Sequence, residues 1–241
     1  MPEDLQVDIP EIGTIKRPRR PVFQLPPEHG VLVAFILSCI LAWKVAGAPS
    51  QEMDLTVMFL MLTVGSLHRP VQMAFIAFTG ALILAFNYSQ PWLALCLLLM
   101  PVGQRIANES VRFFGPSIRQ TLGMLGISTI PLAAACLVSR GSQATQIAVL
   151  GFTSASMLST GIVLLYQNKA NIHCKPALLS ATALWLWLLF KQPPAALLGF
   201  FPFLLQTLWI ARSSKPTFKQ IGIAESLCLS WTTAILFLQT G

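Results

Sequence analysis

Only 10% of the 241 residues carry charge, and nine are acidic, whereas ordinary soluble domains carry about 25% charged residues. So few charges cannot clothe a water-soluble surface of this size. Cysteine is also scarce: Cys39, Cys96, Cys136, Cys174 and Cys228 show no CxxC spacing. Four of the five fall in apolar runs, which favours small apolar packers over a disulfide framework or a zinc site. There is no GxxxxGK[ST] phosphate loop, no HExxH pair and no GxSxG elbow. Nor is there a cluster of carboxylates of the kind that holds magnesium around a diphosphate. These absences weigh against the common soluble enzyme classes.

What is present is hydrophobicity. Apolar residues make up 54% of the chain, the mean hydropathy is +0.67, and apolar runs separated by short polar connectors repeat from Gly30 to Gln239. The pattern predicts an all-α, polytopic transmembrane bundle with about nine spans, near 30–47, 53–67, 71–87, 91–104, 120–139, 144–166, 176–190, 194–211 and 221–239. The second and fourth are short for a helix that needs about 20 residues to cross a bilayer. Residues 1–29 read as a polar, basic tail without the apolar core and cleavage pattern of a signal peptide, and 30–241 as one transmembrane domain.

Lys and Arg are retained on the cytoplasmic side of short loops, so charge tests the count. With the N-terminus inside, Lys16, Arg17, Arg19, Arg20, Arg69, Arg105, Arg112, Arg119, Lys169, Lys175, Arg212, Lys215 and Lys219 are cytoplasmic. Only Arg140 and Lys191 fall outside, and Lys44 lies in or near the first span, where it reads as a snorkelling lysine. The expectation is an N-in, C-out protein of the cytoplasmic (inner) membrane, in contact with membrane lipids. The net charge of +7 is spread over connectors and forms no stripe for nucleic acid.

Polar residues within this frame gather on one side. Of the nine carboxylates, Glu28, Glu109 and Glu225 fall at the cytoplasmic face of the apolar region. They share that level with His29, His68, Arg69, Arg105, Asn108 and Arg112. These nine define a candidate cytoplasm-facing polar pocket. Glu225, placed at the start of the last span, must be paired, snorkelled or neutralised; a guanidinium from Arg69, Arg105 or Arg112 is the expected partner, with a helix-anchoring role as the plainer alternative. The three histidines, His29, His68 and His173, suit interfacial hydrogen bonding better than haem, pigment or metal ligation, since none has a partner four residues away. No catalytic residue and no metal ligand is assigned, and no cofactor is identified.

Other features are packing signals. Gly151, Ala155 and Ser159 stand at four-residue spacing and Gly123 lies near Gly126, patterns that let helix backbones approach. Pro131 and Pro202 are candidate kinks within spans.

LPPEHG at 25–30, running into the first span, LHRP at 67–70, GQRIANES at 103–110 and IGIAES at 221–226 together resemble the YwiC-like family of bacterial multi-pass membrane proteins. The resemblance extends over nearly all of 25–240; where members carry an Ala-Trp pair after HG, this chain has Val31 and Leu32. It implies a multi-pass topology and supplies no reaction.

Three functions are compatible with these residues. The first is a non-catalytic membrane protein: a subunit, assembly factor or accessory component of a larger complex, with membrane-protein partners. The second is a membrane-embedded enzyme of UbiA-like topology acting on a lipid or isoprenoid. Its Asp-rich motifs would belong where this chain has HRP at 68–70 and QNKANIHCKP at 167–176. The third is a small-molecule transporter with a midplane site, for which Pro131, Pro202 and Gln206 are the candidates.

Overall fold

The computed structural model describes residues 29–47, 50–67, 69–114, 116–167, 174–212 and 217–240, with the side chains of 29–31, 107, 108, 110–125, 163–167, 174–177, 193, 195, 211 and 218 outside that description. The described residues form nine α-helices and no strand. They are α1 His29–Val45, α2 Gln51–Gly65, α3 Pro70–Asn87, α4 Pro91–Phe114, α5 Pro116–Val138, α6 Gln143–Gln167, α7 Cys174–Lys191, α8 Pro193–Arg212 and α9 Phe218–Gln239. Each predicted apolar run therefore coincides with a helix.

The helix boundaries have local causes. Pro70, Pro91, Pro116 and Pro193 open α3, α4, α5 and α8, a position where the missing N–H has no intrahelical partner to lose. Ser50 caps α2 by accepting from the Met53 N–H at 3.2 Å. A reciprocal capping box between Thr217 and Gln220 starts α9. Gly47 and Gly141, both at positive φ, turn the chain after α1 and α5.

The sequence expectation fails at the middle connector. The apolar runs at 91–104 and 120–139 leave 105–119 as a polar connector, but α4 continues to Phe114 and α5 starts two residues later. Polarity there marks departure from the apolar run and not an end to helix: GQRIANESVRFF lacks an internal proline and ends in aromatics. This also removes the difficulty of a short fourth helix.

The bundle has two groups of helices. α2, α3, α4 and α5 pack on one another, as do α6, α7, α8 and α9; α1 lies between them against α5, α6 and α9, and α5 also meets α6. Contacts at the helix ends fix their directions. Trp43 Nε1 donates to Asp54 at 3.2 Å, the Thr145 hydroxyl donates to the Val45 carbonyl at 3.5 Å, and Lys44 Nζ stands 5.1 Å from the centre of the Phe237 ring. The last residues of α1 and α9 and the first of α2 and α6 therefore share one end of the bundle, while the starts of α1 and α9 lie at the other.

The exterior is apolar, unlike that of a soluble protein, and the largely apolar interior also holds small hydroxyl residues. Val71, Phe75, Phe86, Phe190 and Leu238 are between 70% and 87% exposed, whereas Ser38, Thr56, Thr63, Ser128, Ser154, Ser156 and Ser159 are wholly buried. Two described stretches, Pro70–Asn87 and Lys219–Gln239, are long and apolar enough to cross a membrane, and shorter apolar stretches occur in α1, α4, α5, α7 and α8.

Candidate functional site

Buried hydroxyls connect the helices of the second group. The Ser154 hydroxyl on α6 donates to the Ala181 carbonyl of α7 at 2.9 Å. On α9, Thr232 donates to the Gly199 carbonyl at 2.6 Å and Trp231 Nε1 to the Leu198 carbonyl at 2.7 Å. Pro202 explains the second of these acceptors. Lacking an N–H, it cannot serve the carbonyl four residues before it, which is that of Leu198, and the Trp231 indole supplies a donor there.

The stripe Gly151, Ala155 and Ser159 faces α9. A side-chain carbon at Gly151 would stand 2.7 Å from Leu236, Ala155 is fully buried, and the Ser159 hydroxyl donates to the Glu225 carboxylate. The small residues thus bring two backbones together, as the spacing predicts, and the last of them also holds the acid. Gly126 has open space where a side chain would go, so close packing does not explain that glycine.

Glu225 itself sits deeper than its sequence context suggests. It follows Phe218, the first residue of α9, by seven positions, about 10 Å along the axis. It is half-buried, and the neutral Ser159 hydroxyl is one of its partners. Of the expected partners, Arg69 stands at the N-cap of α3 and Arg105 is exposed on α4; the side chain of Arg112 lies outside the described residues.

Gln206 on α8 shares this level. The bonds from Trp231 to Leu198 and from Thr232 to Gly199 set α8 and α9 in antiparallel register. Seven residues are close to two full turns. Moving from Gly199 to Gln206 and from Thr232 back to Glu225 therefore keeps both positions on the facing sides. Gln206 is only 4% exposed, and neither its Nε2 nor its Oε1 has a hydrogen-bond partner. An unpaired amide in apolar surroundings costs about 1–3 kcal/mol in proteins.

Those of the nine expected pocket residues that are described stand on several helices. Arg105, Asn108, Glu109 and Arg112 follow i, i+3, i+4, i+7 spacing, so the extension of α4 puts them on one helical face, with Arg105 and Glu109 exposed. Arg69 precedes α3 and is half-buried, and His29 begins α1. These positions and Glu225 lie toward the same end of the bundle, but α4 belongs to the first group of helices and α9 to the second. Glu28 and His68, and the side chains of His29, Asn108 and Arg112, lie outside the described residues, as do the connector segments 168–173 and 213–216.

A small cavity of about 10 Å³, lined by Ile147, Leu188, Ala196, Phe200 and Leu236 among others, lies at the opposite end and is just large enough for about one water. Cys39, Cys96 and Cys228 are unpaired and buried, and Cys136 is unpaired and partly buried. No cluster of His, Cys, Asp and Glu able to hold a metal occurs among the described residues.

Gln206 was visible in the sequence as one amide in the run FPFLLQTLWI, but not as a neighbour of Glu225. That relation depends on the α8–α9 register, which has no signature in either segment alone. Comparisons with family models, with curated proteins and with solved structures give no match, and the YwiC-like resemblance rests on its four motifs.

Proposed function

We propose that this chain is a non-catalytic integral membrane protein, a subunit, assembly or accessory component of a larger complex in the cytoplasmic membrane, crossing it nine times with its N-terminus inside. The apolar exterior carries this reading. A surface bearing Val71, Phe75, Phe86, Phe190 and Leu238 is costly in water and suited to lipid. Several buried hydroxyls, those of Ser38, Thr63, Ser154, Ser159 and Thr232 among them, meanwhile bond to carbonyls or to a carboxylate, which suits polar groups in a bilayer. Among the described residues Arg69, Arg105, Arg212 and Lys219 lie toward one end of the helices and Lys44, Arg140 and Lys191 toward the other, a small bias in the direction of the positive-inside distribution.

The accessory role follows from how the polar groups are used. Those described between helices, at Ser154, Ser159, Trp231 and Thr232, join one helix to another, an arrangement that builds a rigid scaffold. Partners would be membrane proteins meeting the polar α4 face at its cytoplasmic end, together with surrounding lipid.

Purification of the full chain in a mild detergent, followed by mass spectrometry of co-purifying proteins and small molecules, tests this. A stoichiometric membrane-protein partner, lost when Arg105 and Glu109 are both replaced by alanine, is the expected result. An isolated chain that turns over a lipid or isoprenoid substrate would overturn it in favour of the enzyme.

A further inference from the structure

The two groups of helices repeat each other. In the first, α2 packs on α3, α4 and α5, α3 on α4, and α4 on α5; in the second, α6 packs on α7, α8 and α9, α7 on α8, and α8 on α9. α2 and α6 start at the same end of the bundle, so both groups run in the same direction. α1 lies against the last helix of each, α5 and α9.

The helix starts match in the same order. Ser50 with Gln51 opens α2 and Ser142 with Gln143 opens α6. Each serine hydroxyl caps its helix, accepting from the Met53 N–H at 3.2 Å and from the Thr145 N–H at 3.3 Å. HRP at 68–70 leads into α3 and HCKP at 173–176 into α7. Gln90, Pro91, Ala94 and Leu95 at the start of α4 recur as Gln192, Pro193, Ala196 and Leu197 at the start of α8. There the Ala94 N–H donates to the Gln90 carbonyl at 3.2 Å and the Ala196 N–H to the Gln192 carbonyl at 3.0 Å. PSIRQ at 116–120 leads α5, and PTFKQ at 216–220 leads α9. α4 and α8 also carry internal prolines, Pro101 and Pro202, and Gln104 and Gln206 stand equally far from the opening prolines. Prolines open many helices, but four matched starts in one order, laid on one packing pattern, mark a repeat.

We propose that the chain is a fused pair of equivalent four-helix units, α2–α5 and α6–α9, exchanged by a half-turn about an axis along the bundle, and that its surface for a partner membrane protein belongs to the first unit alone. α1 stands outside the repeat. α5 meets α6 directly, and α1, lying against both α9 and α2, takes the place of the second such seam. The units differ at the end of α4, where Arg105 and Glu109 are exposed. Counted from the opening prolines, their counterparts on α8 are Thr207 and Ala211. The scaffold is shared and these charges are not, so each chain holds one partner; this last step rests on the accessory role proposed above.

The repeat is tested in the full chain, purified in a mild detergent, by pulsed electron paramagnetic resonance. Nitroxides coupled to a ketone-bearing amino acid at Gln51, Gln90, Gln143 and Gln192, two at a time, leave the native cysteines in place. The distance from Gln51 to Gln90 should equal that from Gln143 to Gln192, and the distance from Gln51 to Gln192 should equal that from Gln90 to Gln143. The second equality is the mark of a half-turn. Resolved differences in either comparison would overturn the repeat. Where a label at Gln90 or Gln192 alters the gel-filtration profile, the exposed Ser89 and Lys191, again a matched pair, replace them. Native mass spectrometry of the complex should then show one partner per chain. Two partners per chain would overturn the restriction to the first unit. A chain without any partner would overturn both the accessory role and that restriction, and in either case the distances still decide the repeat.

Discussion

The Trp231 indole donates to the Leu198 carbonyl at 2.7 Å, the carbonyl that Pro202 leaves without its helical donor. A proline in α8 and a tryptophan in α9 thus form one unit. Together with the Thr232 to Gly199 bond, they set the register that places Gln206 opposite Glu225.

Trp231→Phe removes the donor and keeps most of the ring. It is expected to destabilise the bundle by about 0.6–2 kcal/mol, the range for interhelical hydrogen bonds in membranes. Pro202→Ala returns an N–H to the Leu198 carbonyl, so Trp231→Phe should cost less in that background. A double-mutant cycle of unfolding in detergent measures the difference, and additive effects would refute the coupling.

Glycines divide by what a methyl group would meet. At Gly80 it would stand 2.5 Å from the Phe59 ring and 2.8 Å from Leu97, while at Gly222 nothing lies within 4 Å. Gly80→Ala is expected to destabilise by about 1–3 kcal/mol through overpacking. Gly222→Ala, in an open helical position of α9, should stabilise by about 0.5–1 kcal/mol. Thermal unfolding in one detergent compares the pair, and equal effects would contradict the packing described.

Ser159→Ala takes a donor from Glu225, and hydrogen bonds to charged groups contribute about 1.5–3 kcal/mol. A loss in that range is expected. Glu225→Gln, which keeps an acceptor oxygen, should cost less than Glu225→Ala. Detergent unfolding curves for the three variants give the ranking, and a fully stable Glu225→Ala would show that the carboxylate has no part in holding α6 to α9.

Gln206→Leu replaces an unpartnered buried amide with an apolar side chain of similar size. It should stabilise the protein by about 1–3 kcal/mol, the penalty of a buried polar group left unpaired. Destabilisation by Gln206→Leu would mean that the amide is already satisfied.

Much of this architecture was legible in the sequence because apolar runs and helix-opening prolines are local signals. Gly151, Ala155 and Ser159 were readable as a packing face for the same reason. The extension of α4 was not: Arg105, Glu109 and Arg112 look like loop residues until their helical spacing is recognised, and polarity masks that spacing. The depth of Glu225 depends on where α9 starts, and the capping box at Thr217 sets that start earlier than hydropathy suggests. Which of the described polar residues come together depends on which helices are neighbours. Gln206 opposite Glu225 depends on register, to which Pro202, Trp231 and Thr232 each contribute.

The most direct test of the account is the side of the membrane on which the last helix ends. Paired fusions after Gly241, one to a fluorescent protein that matures in the cytoplasm and one to a phosphatase active only outside it, should give an active phosphatase and no fluorescence from a chain that resists alkaline extraction. A fluorescent, phosphatase-negative pair, or a chain released by alkaline extraction, would contradict nine spans with the N-terminus inside.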